Sequence, residues 1–331
     1  LLCAQNTAKP AAAPKPATSP AAKPATAPAK PAAAAAKPAT SPAAKPAAAP
    51  AKPAAAAAKP AAAAAKPAAA TPPPPKPAPV AVFKDKALEA VVRRQVFAKR
   101  DNQEVITAED VATVSIIEGK DAGISDLSGL EKCVALASLT LPGNKISNLS
   151  ALKGLERLQF IDLAKNQISD ISPLGSCKAL QYLELTGNQV SEVSALGAVT
   201  ALNSLYLANN KIADVSALFK LPKVWTLHLD GNPIAKLDGI NQLKWLSMLS
   251  LKGGKVVDLA PLEGLSDLQF LFLDQCPVAD ASALQRAWKK DMDGERRWAP
   301  YCQISLQGCP LNDASRKLIA DMKKAGARIT P

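Results

Sequence analysis

Aromatic residues make up only 4% of this 331-residue chain, histidine occurs once, and methionine three times. A single histidine supplies no second imidazole for a histidine-based metal site. Acidic residues are missing from the first eighty positions, which are almost entirely Ala, Pro, Lys, Thr and Ser. Their ten lysines, at positions 9, 15, 23, 30, 37, 45, 52, 59, 66 and 76, are each followed by proline. Large apolar residues are as scarce, so this segment cannot build a core. Alanine runs such as 32–36 favour helix, but each proline removes a donor and pushes the preceding residue out of the helical region. A disordered, partly polyproline spacer is expected, reaching about 200 Å if extended at about 3.1 Å per residue. The tail holds ten of the twelve net positive charges, and the rest of the chain is near neutral, with 30 basic and 28 acidic residues. No later run is long and apolar enough to span a bilayer.

The opening "LLCAQ" reads as the apolar end of a secretion signal, residues 1–4, with cleavage after Ala4. Lipid attachment at Cys3 is disfavoured, because Leu2 stands where a small residue is normally required. Export to the periplasm, cell surface or medium is the expectation.

What is abundant lies downstream. The stretch "IDLAKNQISDISPL", beginning at Ile161, recurs 22 residues later as "LELTGNQVSEVSAL". In that register eight units begin at Val114, Leu136, Leu158, Leu180, Leu202, Val224, Leu246 and Leu268. The fourth positions (Ile117, Leu139, Ile161, Leu183, Leu205, Leu227, Leu249, Leu271) and the eleventh positions (Ile124, Ile146, Ile168, Val190, Ile212, Ile234, Val256, Val278) are uniformly apolar. Such columns mean stacking, since one unit of this length cannot bury its own apolar face. An asparagine column (Asn144, Asn166, Asn188, Asn210, Asn232) sits where the chain must turn away from each short strand. A side-chain amide there can satisfy backbone groups of neighbouring turns. Ala122, Gly254 and Cys276 interrupt the column towards both ends. The spacing of Ile168, Ile171 and Leu174 suits a tight helical turn, with Asp170 and Ser172 capping backbone N–H groups rather than forming a metal or catalytic array.

The pattern LxxLxLxxNxIxDxSxLxxLxx resembles the leucine-rich repeat family. Its 22-residue length and "ISDLS/ISDIS" turn are similar to the internalin-type subgroup of bacterial surface proteins, from about residue 83 to the C-terminus. The resemblance implies an α/β solenoid: an arc with a parallel concave sheet, short 3-10 turns on the convex side, a helical N-cap and a C-terminal helix cap. The expected divisions are 1–4 signal remnant, 5–80 basic spacer, 81–113 helical cap, 114–289 eight repeats, and 290–331 insertion, ninth strand and helix cap.

Apolar residues at Leu88, Val91, Val92 and Val96 have a helical period over 83–98, and "TAED" (107–110) has capping-box form. "CQISLQGCPL" (302–311) reads as a ninth strand with Ile304 and Leu306 inward, reached across an insertion at 290–300 that is expected to be a solvated loop with one packed tryptophan. Asn312 or Asp313 can cap a final helix with Leu318, Ile319, Met322 and Ala325 on one face, ended by Gly326. Cys133 and Cys177 stand two units apart, about 10 Å, too far to pair. Cys276 and Cys309 would lie on adjacent strands within disulfide reach, although cysteine also substitutes for asparagine in this family's pattern.

If positions four and six point inward, positions three, five and seven face solvent on the concave sheet. Phe160, Tyr182, Tyr206, Met248, Phe270 and Phe272 then project from a surface with no packing need for them, beside Asp162, Glu184 and His228, with Trp225 and Trp245 near the rim. In an aromatic-poor chain this concentration points to a ligand-binding face, although rings can also pack across strands merely to stabilise a sheet. An enzymatic reading would have to use His228 with Asp230, and no nucleophile, second histidine or phosphate loop accompanies them. No catalytic residue, metal site or cofactor is expected.

The reading is a non-enzymatic protein- or peptide-binding module, monomeric and exported. Its lysine-rich tail would serve as a spacer or a tether to anionic wall polymer or lipid headgroups. The alternative is a nucleic-acid-associated protein using that tail, since polyanions attract such charge. Against it, the outward columns hold more acids (Glu118, Asp162, Glu184, Asp230, Asp274) than bases (Lys120, Lys252).

Overall fold

A computed structural model describes residues 79–331; the signal remnant, Cys3 and nearly all of the basic tail lie outside the described residues. Ten three-residue strands form one parallel sheet in chain order: β1 Ile116–Glu118, β2 Ser138–Thr140, β3 Phe160–Asp162, β4 Tyr182–Glu184, β5 Ser204–Tyr206, β6 Thr226–His228, β7 Met248–Ser250, β8 Phe270–Phe272, β9 Gln303–Ser305 and β10 Arg328–Thr330. From β1 to β8 each residue pairs with the one 22 positions on, as Ile161 does with Leu139 and Leu183. The fourth-, sixth- and eleventh-position side chains form one continuous core, most of them fully buried. Each such side chain contributes about 1.5–3 kcal/mol, but only when the next coil covers it.

Short 3-10 turns, such as Ser172–Ser176, Ser194–Ala198 and Ser216–Lys220, close the convex side. Their entries are capped locally: Asp170 accepts the Ser172 N–H at 2.8 Å, and Asp214 accepts that of Ser216 at 2.8 Å.

The asparagine column is buried and satisfied. Asn188 accepts the Ile168 N–H at 3.0 Å and donates to the Leu163 and Leu185 carbonyls at 3.0 and 2.9 Å, stitching its own coil to the preceding one. Cys276 and Cys309 are free thiols, and each replaces only part of this function. Their Sγ atoms donate to the Leu251 and Leu273 carbonyls at 3.0 and 3.1 Å. Cys133 and Cys177 are buried thiols held largely protonated by burial, which pushes the Cys133 thiol up to about 12.

At the N-terminal end α1 (Lys86–Arg93) buries Leu88, Val91 and Val92 against the first coil. It is shorter than the 83–98 periodicity predicts; Val96 is buried beyond its end, before a 3-10 turn at Phe97–Lys99. Gly119 marks the contact: a Cβ there would lie 2.8 Å from Val91 Cγ2. In α2 (Ala108–Val111) the Asp110 carboxylate accepts the Thr107 N–H at 2.7 Å.

The C-terminal end differs more from expectation. The eighth unit closes with α3 (Ser282–Asp293) instead of a 3-10 turn, so the insertion begins inside a helix; Trp298 beyond it is buried. The helix forms because Ala283, Leu284 and Ala287 share one buried face at helical spacing. Asn312 caps α4 (Asp313–Lys324) by accepting the Ser315 N–H at 2.8 Å, and Ile319 and Met322 are buried. Ala325 is exposed rather than on the packed face, because the chain leaves the helix there through Gly326 at φ +99°. β10 then pairs with β9, a tenth strand that the repeat pattern does not announce.

Candidate binding face

On the outward side of the sheet, β3 to β6 bring four rings into a ladder. Phe160 and Tyr182 stack with centroids 4.3 Å apart, Tyr182 and Tyr206 stand at 5.3 Å, and Tyr206 stacks on His228 at 4.8 Å. Register places Phe160 beside Tyr182 and Tyr206 beside His228, while Tyr182 meets Tyr206 diagonally across the pair of strands. His228 Nε2 lies 3.0 Å from Met248 Sδ, which continues the line into β7. All five side chains are half-buried, part of each covered by its neighbours and part left to solvent. The rings therefore both pack across the strands and present a surface.

The carboxylates of Asp162 and Glu184 are register neighbours beside this ladder. Each accepts a backbone N–H two residues on, Ala164 at 3.0 Å and Thr186 at 2.7 Å. Burial, opposed by the Thr186 hydrogen bonds and reinforced by the like charge of Asp162, raises the Glu184 carboxyl above its ordinary range. Burial followed by the negative field of Glu184 raises the phenols of Tyr182 and Tyr206. Burial also lowers the His228 imidazole, keeping it neutral at physiological pH against the opposing pull of Asp230.

Phe270 and Phe272 form a separate pair on β8, centroids 6.4 Å apart, with Lys252 Nζ 4.5 Å from the Phe272 ring centroid. Trp225 is 55% exposed and lies at the rim, just before β6. Its indole N–H donates to Ser204 Oγ at 2.8 Å, and with Trp245, Asn203, Pro222 and Lys223 it lines a shallow hollow. Two outward-column serines are buried rather than exposed. Ser204 takes the indole bond, and Ser250 Oγ donates to Asp230. These cross-strand serine bonds escaped the sequence pattern, which gives the face of each residue but not its reach to the next coil.

Asp230 accepts from Ser250 and from the Lys252 N–H, the latter at 2.9 Å, and no hydrogen bond joins it to His228. Among the described residues no cluster of His, Cys, Asp and Glu could hold a metal ion, no buried side-chain nitrogen or oxygen lacks a partner, and no helix is long and apolar enough to cross a membrane.

A family model described as leucine-rich repeats (two copies) matches residues 156–198. No curated protein matches the sequence. Among solved structures, internalin C2 of Listeria monocytogenes superposes with a TM-score of 0.57 at 24% identity, over 61% of this chain and 89% of that one. A leucine-rich repeat protein of Leptospira interrogans gives a TM-score of 0.53 at 19% identity, over 61% of this chain and 56% of that one.

Proposed function

We propose that this chain, a leucine-rich repeat protein of internalin-like fold, is a non-enzymatic module that binds a protein or peptide on its concave face, at the bacterial envelope or outside the cell. The observation that carries the reading is the half-exposed ladder of Phe160, Tyr182, Tyr206 and His228 on the outward side of the sheet, away from the leucine core. Rigid aromatic side chains supply large contact area at low entropic cost and dominate binding energetics where they cluster. Parallel strands hold the ladder in place before any ligand arrives, which lowers the ordering cost of association. Phe270, Phe272 and Met248 extend the surface towards β8, and Trp225 extends it over the rim. The lysine-rich tail serves as a spacer or as a tether to anionic polymer or lipid headgroups.

The test is affinity capture from envelope and host-cell fractions, with the full chain and a Tyr182→Ala/Tyr206→Ala variant side by side. A partner retained by the parent and lost by the folded variant is the expected result. A partner retained equally by both overturns the assignment of the face.

A further inference from the structure

The two ends of the concave face treat their carboxylates differently. At β7 to β9 the chain supplies its own cation: Lys252 Nζ lies 3.3 Å from Asp274 Oδ2 and 4.5 Å from the Phe272 ring centroid. One lysine thus occupies a place defined by an aromatic face and a carboxylate together. At β3 and β4 the same two ingredients are present without the lysine. Asp162 and Glu184 flank the rings of Tyr182 and Tyr206, and neither forms an ion pair among the described residues. No lysine or arginine occupies the third, fifth or seventh position of the five units from β2 to β6.

An ammonium or guanidinium group is attracted to an aromatic face within about 6 Å and to a carboxylate at hydrogen-bond distance, and its methylene stem covers apolar surface on the way. We infer that the Tyr182–Tyr206 ladder, with the adjacent carboxylates of Asp162 and Glu184 beside it, receives a lysine or arginine side chain from an extended basic peptide. This assignment rests on the proposed docking face and names the chemistry of its partner. Burial, with the like charge of Asp162 added to it, raises the Glu184 carboxyl, and an arriving cation offsets both, so the incoming charge meets a site that is electrostatically incomplete without it. The ladder from β3 to β6 spans three strand spacings, about 14 Å, or about four residues of extended peptide.

The test is selection of displayed random peptides of about twelve residues on the full chain and on an Asp162→Asn/Glu184→Gln variant. The amide oxygens of the variant can still accept the Ala164 and Thr186 N–H groups, so the coil is preserved. Both proteins carry the same basic tail, so they differ only at the two carboxylates. Lysine or arginine enrichment on the parent, abolished on the variant, is expected. The best peptide should lose about tenfold in affinity when its key lysine becomes glutamine, and should weaken as salt is raised. Peptides selected equally by both proteins, but lost on Tyr182→Ala/Tyr206→Ala, would leave the docking face standing and sink the cation assignment. If neither protein selects a peptide, the basic-peptide assignment fails, while the docking face is decided by the affinity capture with Tyr182→Ala/Tyr206→Ala.

Discussion

The concave sheet is closed on one side of its midpoint and open on the other. From β6 to β9, acids find partners within the chain: Asp230 holds Ser250 and the Lys252 N–H, while Asp274 holds Ser305, Gln307 and Lys252. From β3 to β5, the rings stack on one another and the acids accept hydrogen bonds only from within their own coil. The underlying scaffold is nearly the same in both places, with the same register and the same leucine columns. What differs is whether outward side chains complete one another, and a surface left incomplete on a rigid frame is one a partner can complete.

The largest expected effect tests how alike the two scaffolds are beneath that difference. Asn188→Ala strips one acceptor and two donor bonds from buried backbone under the open half. At about 1–3 kcal/mol for each buried group left without a partner, a loss of about 3 kcal/mol is expected in urea unfolding. Cys276→Ala, under the closed half, removes a single weak thiol bond and should cost about 1 kcal/mol. Equal losses would mean the two columns do not differ as described.

Next in size is the contrast between the carboxylates themselves. Asp274→Asn breaks the Lys252 ion pair and weakens two hydrogen bonds, for an expected cost of about 1–2 kcal/mol. Asp162→Asn should change stability by less than about 0.5 kcal/mol, since its role is not internal. Thermal or urea unfolding of the two single variants decides the matter, and a costly Asp162→Asn would place that residue in the scaffold.

The smallest effects appear with pH and oppose each other in sign. Burial tends to raise the Asp85 carboxyl, but the N–H groups of Ser125, Asp126, Leu88 and Ala87 outweigh it and hold it down to about 2. Its folded value lies below the unfolded one, so its contribution is present above about 3.8 and fades as pH falls towards about 2. Glu184 is raised in the fold, so its contribution is present below its ordinary value of 4.5 and fades as pH rises through the folded value. Melting temperatures across this range should show Asp85→Asn flattening the acid limb. Glu184→Gln should raise stability slightly on the neutral side, and a fall there would contradict the account of a carboxylate penalised by burial and by the neighbouring Asp162.

The core was legible because a 22-residue period acts on residues whose chemistry leaves little choice. Leucine columns must stack, and an interior asparagine must bond backbone, so Ile161, Leu183 and Asn188 announce their roles. The strand period of two then fixed which residues face outward, including Tyr182 and Tyr206. The C-terminal end was less legible. Burial on α3 depends on small side chains, Ala283 and Ala287, set among charged residues, and β10 offers a single inward residue, Ile329, after a helix that breaks the period. The bonds from Asp230 to Ser250, from Asp274 to Ser305 and from Trp225 to Ser204 were hidden for another reason. They join residues 20 or more positions apart, and their existence depends on side-chain reach across coils rather than on the face each residue occupies.

The claim that the open half of the sheet is the docking surface is tested most directly by hydroxyl-radical footprinting of the full chain, with and without the tightest-binding lysine-containing peptide from the display selection. The account predicts loss of labelling at Phe160, Tyr182, Tyr206 and His228, while Trp245 and Tyr301, both well exposed and away from the ladder, are labelled as before. Unchanged labelling of the four ladder rings in the saturated complex, with protection at Trp245 or on the convex side instead, would contradict it.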